Sequence, residues 1–187
     1  MRGVLLAAIL LLLPLAQAEE PVISPAAREG LIELLAAPGG AYESYAFYIK
    51  ALSVLGPKEP FRHFLDGERY KRDRVIELLR KYGVSFPQKN PYLGRVELPT
   101  RAEAAARLAL SLETKSVYLE RRLGRVFADY AELKNFVKTL EAADDKQREI
   151  LRMAIAQGGT LGDDVVRGLA HELGELCPFV FGPGICP

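Results

Sequence analysis

Apolar residues recur at intervals of three or four positions along most of the chain, whereas the two-residue alternation of β-strands is scarce. This spacing predicts α-helices separated by segments rich in glycine and proline, with a further break allowed at Gly124. The predicted helices cover residues 25–37, 41–55, 59–82, 101–123, 128–142, 145–157 and 161–175. The proline-containing segment 84–99 is long enough to be a crossover. The pattern predicts an all-α fold, an antiparallel four-helix bundle with additional short helices.

The helix predicted over 59–82 carries charged residues on the face that should be buried. Its apolar residues form one stripe on a helical wheel, made of Phe61, Phe64, Leu65, Val75, Ile76, Leu78, Leu79 and Tyr82. Glu68 falls near the middle of this stripe, with Lys71 and Arg72 towards its two sides. A core-facing stripe that contains a carboxylate and two cations indicates either a metal site or internal ion pairs.

The helix predicted over 101–123 also places carboxylates on its apolar side. On the wheel, Glu113 and Glu120 fall among alanine and leucine residues. An unpaired buried carboxylate lowers stability by several kcal/mol, so these groups need compensation. Three solutions stay open: ion pairs with Lys71 and Arg72 across the helix interface, a bound metal ion, or side chains that reach a wet edge of the bundle.

The two ends of the chain carry signals of export. Residues 1–18 combine one basic residue, an apolar run and a small-x-small cleavage pattern, which together predict a secretory signal peptide. Cys177 and Cys186 lie close together in a segment rich in proline and glycine, and in an exported chain such a pair is expected to form a disulfide. We therefore predict a periplasmic or secreted protein with a helical domain at 19–175 and a disulfide-tied tail at 176–187.

The balance of acidic and basic residues argues against some classes of binding partner. The chain has 25 Lys and Arg against 24 Asp and Glu, a net charge of +1, and loss of the basic residue in the signal peptide lowers this to about 0. Nucleic-acid-binding proteins present a basic face, so nucleic acid is not the expected partner. We expect no transmembrane segment after cleavage, because spanning a bilayer takes roughly 20 apolar residues in a row. The partner stays unknown, and a homodimer is compatible with the sequence.

Three stretches of the chain, ISPAAREGLIELL, AYESYAFYIKAL and PFRHFLDGERYKRDRVIELLRKYGV, resemble the ferritin-like, rubrerythrin-related superfamily. They look closest to a secreted bacterial ferritin-like family of unknown function, over roughly residues 23–157. In that family a first helix with Glu-x-x-Ala leads to a second helix with Glu-x-x-His and an LL.KYG ending. Glu43 fits the first motif, Glu68 fits the glutamate of the second, and Glu113 resembles the carboxylate of the third bundle helix.

The resemblance implies a ferritin-like bundle with iron or manganese held by Glu43, Glu68 and Glu113. Two departures argue against that metal site: Lys71 stands at the family's histidine position, and the predicted helix 145–157 offers the core neither a carboxylate nor a histidine. We therefore predict a structural or binding protein without a cofactor and, on balance, without catalysis. The alternative is a metal-binding oxidoreductase or a metal-sequestering protein of the di-iron or di-manganese type. The predicted buried ion-pair cluster consists of Glu68, Lys71, Arg72, Glu113 and Glu120.

Overall fold

The computed structural model of the protein describes residues 22–187, so the predicted signal peptide lies outside the described residues. Within this range the chain forms helices and no β-strand, which confirms the all-α prediction. The helices are α1 (Pro25–Ala36), α2 (Ala41–Leu55), α3 (Phe61–Lys81), α4 (Ala102–Val126), α5 (Ala131–Ala156), α6 (Asp163–Leu173) and α7 (Cys177–Phe181), with a 3₁₀ turn at Gly174–Leu176. Among these helices, none combines the length and the apolar character needed to cross a membrane.

Two breaks that the sequence allows within helices are absent from the structure. The helices predicted over 128–142 and 145–157 are one continuous helix, α5, and Gly124 does not interrupt α4. The predicted break between residues 142 and 145 lies at the start of a polar run in the middle of α5. This run stays helical because two of its members, Asp144 and Gln147, find polar partners inside the protein.

Two apolar clusters fix the directions of the four long helices. α3 begins in one cluster with Phe64 and ends in the other with Val75, and α4 passes through the two clusters in the same order. α5 passes in the reverse order, from Leu133 to Leu151, and so does α2. Therefore α3 and α4 run in the same direction, and α2 and α5 run antiparallel to them.

The predicted crossover connects α3 to α4 and lies against α1 and α2. The Tyr42 hydroxyl on α2 donates a hydrogen bond to the Pro87 carbonyl at 2.7 Å. The Tyr92 hydroxyl in the crossover donates to the Ala36 carbonyl at the end of α1 at 3.1 Å. These tyrosines hold the irregular segment on the helices and satisfy carbonyl groups that lie outside the helical pattern.

The C-terminal segment is part of the core. The sulfur atoms of Cys177 and Cys186 are 2.09 Å apart, as in the predicted disulfide. Val180 and Phe181 of α7 are buried in the same apolar cluster as the start of α3. α7 comes so close to α3 at Gly67 that a Cβ atom there would collide with the Val180 carbonyl group. The C-terminal segment is therefore packed against the other helices through α7.

Candidate functional site

A buried polar layer, here called the charge cluster, separates the two apolar clusters. Its members are Glu68, Lys71, Glu113, Glu120, Asp144 and Gln147, and none of these residues is more than 4% exposed. Each of three helices contributes two members: Glu68 and Lys71 lie one turn apart on α3, and Asp144 and Gln147 lie one turn apart on α5. Glu113 and Glu120 lie two turns apart on α4. That spacing puts both residues of each pair on one face of their helix.

Lys71 uses all three of its ammonium hydrogens inside the charge cluster. Its Nζ donates to Glu68 Oε1 at 2.7 Å, to Gln147 Oε1 at 2.6 Å and to Oδ1 of Asp144. The side-chain amide of Gln147 in turn donates to Glu68 Oε1 at 3.1 Å and to the Val180 carbonyl at 3.2 Å. One hydrogen-bond network therefore ties α3, α5 and α7 together around a buried positive charge.

Glu113 and Glu120 complete the cluster from α4. The Tyr48 hydroxyl on α2 donates to Glu113 Oε1 at 2.6 Å. Oxygen atoms of Glu68, Glu113 and Asp144 lie within 4.8 Å of one another, which brings three carboxylates to one point. The Oε2 atoms of Glu113 and Glu120 are buried, and neither has a hydrogen-bond partner in the described part of the chain.

The pKa shifts show how four carboxyl groups coexist with one ammonium. Burial lowers the pKa of Lys71, but the adjacent carboxylates, Asp144 foremost, raise it more, so the net shift keeps the lysine charged. Burial raises the pKa of Glu113 and of Glu120 well above the usual range, and nearby carboxylates raise both further. Burial also raises the pKa of Glu68, against the opposing effect of the lysine. The environment of the cluster therefore favours the charged form of the lysine and opposes the ionised form of these three glutamates.

A cavity of about 20 Å³ adjoins the charge cluster. Its polar lining consists of Ser44, Glu68, Lys71, Ser116, Glu120 and Asp144. This volume has room for one water molecule and for no organic substrate. The charge cluster is therefore a buried internal structure and differs from the larger pockets that bind organic ligands.

The structure does not bring Arg72 or Glu43 into the charge cluster. The Arg72 guanidinium lies 4.2 Å from the ring centroid of Tyr45 and pairs with the next residue on α3. A turn of about 100° per residue separates it from Lys71, so only one of the two cations faces inward. Glu43 lies in the first turn of α2, where it accepts a hydrogen bond from the Gly39 backbone at 2.6 Å.

Asp144 and Gln147 belong to the cluster, although neither was predicted from the sequence. Asp144 lies just before the predicted helix 145–157, from which no core carboxylate or histidine was expected. Seven of the nine buried residues of α5 follow one another in steps of four and three, namely Leu133, Val137, Leu140, Asp144, Gln147, Leu151 and Ala154. Asp144 and Gln147 keep the same spacing as the apolar residues on either side of them. This spacing is the sequence signal that could have identified both as buried. Asp144, rather than Glu43, is the third carboxylate beside Glu68 and Glu113.

Glu43 instead borders a surface cleft of about 300 Å³ between α2, α4 and the crossover. The walls of this cleft are largely apolar, with Phe47, Tyr92, Val96, Leu108 and Leu112. Charged residues of both signs, including Arg95 and Lys115, line it as well. An apolar concavity with a few charged groups is the usual form of a small-ligand site, and this volume is at the lower end of that class.

No family model, no curated protein and no solved structure matches this chain. The features that bear on function are therefore the geometry of the charge cluster, the surface cleft and the order of the helices. The resemblance to ferritin-like proteins stays a prediction from the sequence.

Proposed function

We propose that the protein is an exported ferritin-like four-helix bundle in which an internal lysine has taken the place of a metal centre, and that it acts as a structural or binding protein. The observation that carries this proposal is the position of Lys71. Its ammonium is held by side chains of α3 and α5, at the point where carboxylates of three helices meet.

The order of the helices supports the ferritin-like part of the proposal. Two helical hairpins, α2–α3 and α4–α5, are joined by one long crossover, and α3 and α4 run in the same direction. One long crossover between two hairpins is the connectivity of ferritin-like bundles. The pairing of Cys177 with Cys186 supports export, because disulfides persist in oxidising compartments.

The side chains of the charge cluster argue against a di-metal centre. Such centres in helical bundles use a Glu-x-x-His motif on each of two helices and a glutamate on each of the other two. Here Glu68 with Lys71, and Asp144 with Gln147, have the spacing of the two motifs. A lysine and a glutamine thus stand at the two histidine positions, and an ammonium has no lone pair for a metal. The donor set does not fit the di-metal centre that the resemblance implies.

Electrostatic repulsion leads to the same conclusion. An ammonium about 4 Å from a divalent cation is disfavoured by about 8 kcal/mol at an effective dielectric constant of about 20. Loss of the lysine proton would relieve this repulsion, but the pKa of Lys71 is shifted upward by the surrounding carboxylates. The ammonium therefore supplies the positive charge that a metal would otherwise bring, and it keeps the carboxylates together without one.

The alternative is a metal-binding oxidoreductase or a metal-sequestering protein. The observation in its favour is that Glu113 and Glu120 each keep one buried oxygen that has no hydrogen-bond partner within residues 22–187, and that Glu113 converges with Glu68 and Asp144. Oxygen donors of this kind suit iron and manganese. For this alternative to hold, the Lys71 side chain must leave the centre of the cluster, which breaks three hydrogen bonds at once.

We assign the binding role to the surface cleft and the structural role to the charge cluster. The cleft is open to solvent and has a volume of about 300 Å³, whereas the cavity beside the cluster has about 20 Å³. A ligand with an apolar body and a charged end would match the lining of the cleft, where Phe47 and Leu112 lie near Lys115.

Metal content distinguishes the two functions. We would measure iron and manganese by mass spectrometry on untagged, oxidised protein purified without chelators, together with Glu68→Gln, Glu113→Gln and the exposed α4 control Glu103→Gln. The proposal predicts no iron or manganese whose retention depends on Glu68 or Glu113. About one or two such ions per chain, lost in both cluster variants but kept in the control, would contradict the proposal and support the alternative.

A further inference from the structure

A second group of metal-ligand side chains lies where the start of α3 meets the start of α6. Glu59, His63 and Asp163 each offer one ligand atom, and these atoms lie within 4.8 Å of one another. The Leu161 backbone N–H donates to the Glu59 carbonyl at 3.0 Å, which holds the two chain segments side by side. None of the three belongs to the charge cluster, and the resemblance assigns no ligand to any of them.

Glu59 carries an independent indication that a cation belongs at this junction. The residue is only 6% exposed, and its Oε2 atom is buried without a hydrogen-bond partner in the described part of the chain. A buried carboxylate oxygen without a partner is unfavourable. Its Oε1 atom lies 3.6 Å from Nε2 of His63, so the orphaned carboxylate is next to a nitrogen that can ligate a metal.

The Arg62 side chain already brings a positive charge to all three groups. Its Nε donates to Glu59 Oε1 at 2.5 Å, and one terminal nitrogen donates to Asp163 Oδ1 at 2.8 Å. The same nitrogen is 3.1 Å from His63 Nε2. Because an arginine side chain can only donate hydrogen bonds, Nε2 accepts this bond through its lone pair. Arg62 is 41% exposed, so it can move into solvent, which the buried Lys71 cannot do.

We propose that Glu59, His63 and Asp163 form a binding site for a divalent transition-metal cation of the Zn²⁺ type, with Arg62 holding the three ligands together in the absence of metal. One imidazole nitrogen and two carboxylate oxygens, with water as the fourth ligand, form a donor set that zinc accepts. Zinc–ligand bonds of about 2.0–2.1 Å put tetrahedral ligand atoms about 3.4 Å apart. Small side-chain rotations therefore suffice to close the site and to tie α6 to α3.

Calorimetric titration of the untagged, chelator-free protein with zinc chloride tests this site, together with NMR of the imidazole resonances. The chain has two histidines, and His171 is exposed further along α6, so it serves as an internal control. We expect one bound Zn²⁺ per chain, with shifts of the His63 resonances and none of the His171 resonances. His63→Ala and Asp163→Asn should each weaken binding about tenfold or more, while His171→Ala should leave it unchanged.

Arg62→Ala gives a second test that does not remove a ligand. This substitution removes the half-exposed cation that contacts all three proposed ligands and leaves the Arg167 contact with Asp163 in place, so zinc should bind more tightly than to the wild type. The inference is overturned if zinc does not bind, if binding survives unchanged in His63→Ala, if it is lost in His171→Ala, or if Arg62→Ala weakens it.

Discussion

Lys71 and Arg72 are adjacent in the chain and have opposite roles. Lys71 lies inside the charge cluster with three hydrogen bonds, and Arg72 lies at the surface over a tyrosine ring. The helical wheel could predict that Glu68, Glu113 and Lys71 point inward, because the periodicity of one helix is enough for that. It could not predict that the lysine pairs with Asp144, because the relative height of two helices is decided by packing along their whole length.

The buried Glu120 should make the stability of the protein depend on pH. Burial raises its pKa in the folded protein, and contact with Asp144 raises it further. The folded state therefore binds this proton more tightly than the unfolded state does, and stability falls as the pH rises above the unfolded pKa. Glu120→Gln removes this effect. The free energy of unfolding of the variant should therefore exceed that of the wild type by at least about 1 kcal/mol at pH 8 and by little at pH 4.

Urea unfolding at both pH values measures this difference. Glu103→Gln on the exposed side of the same helix is the control. The pKa of Glu103 is lowered, chiefly by its hydrogen bond with Arg107, so this control should show no gain at pH 8. An equal effect of Glu120→Gln at both pH values would argue that Glu120 is ionised in the folded protein.

At the scale of elements, α5 and α7 are the parts that the sequence did not predict correctly. The sequence predicted two helices where α5 is continuous, and the polar contact between Asp144 and Lys71 of α3 explains why a polar residue at the predicted break is buried. The CPFVF segment looked like a tail, yet its Val180 carbonyl accepts a hydrogen bond from Gln147 of the charge cluster. The polar core explains the burial of Asp144 and Gln147, whereas α7 is buried because Val180 and Phe181 are apolar and pack beside the start of α3.

The contact between α3 and α7 can be tested by replacing a single glycine with alanine, which adds one methyl group. A Cβ atom at Gly67 would collide with the backbone of Val180, so Gly67→Ala should lower the free energy of unfolding by about 1–3 kcal/mol. Gly124 is also helical but has open space around it, and Gly124→Ala should raise stability by about 0.5–1 kcal/mol. Urea denaturation of both variants gives the comparison. A stabilised Gly67→Ala would mean that α7 does not pack on α3 as described.

At the scale of the whole molecule, a polar layer divides the apolar interior in two. Periodicity predicted the all-α class and the crossover, because both depend on local signals of helix and turn. The continuity of α5 and the inclusion of α7 in the core depend on contacts between distant segments, which a single sequence does not display. The charge cluster lies where α3, α4, α5 and α7 meet, so its integrity and that of the fold are coupled.

The C-terminal disulfide should stabilise the whole fold through α7. Closing the short loop between Cys177 and Cys186 contributes about 2–3 kcal/mol in the loop-entropy description. Reduction should therefore shift the urea midpoint of the wild type downward by a corresponding amount. The double variant Cys177→Ser/Cys186→Ser should match the reduced protein and be insensitive to reductant. A wild-type midpoint that reductant leaves unchanged would show that the bridge adds nothing to stability.

The claim that Lys71 is the internal counter-ion of the carboxylates is tested most directly by its replacement with methionine, which keeps the bulk and removes the charge. The free energy of unfolding at pH 7 should fall by about 3–5 kcal/mol, because buried carboxylates lose their partner. Lys81→Met, at an exposed position on α3 paired with Glu132, should change it by about 1 kcal/mol or less. A Lys71→Met protein as stable as this control would contradict the account, since the carboxylates would then need no internal cation.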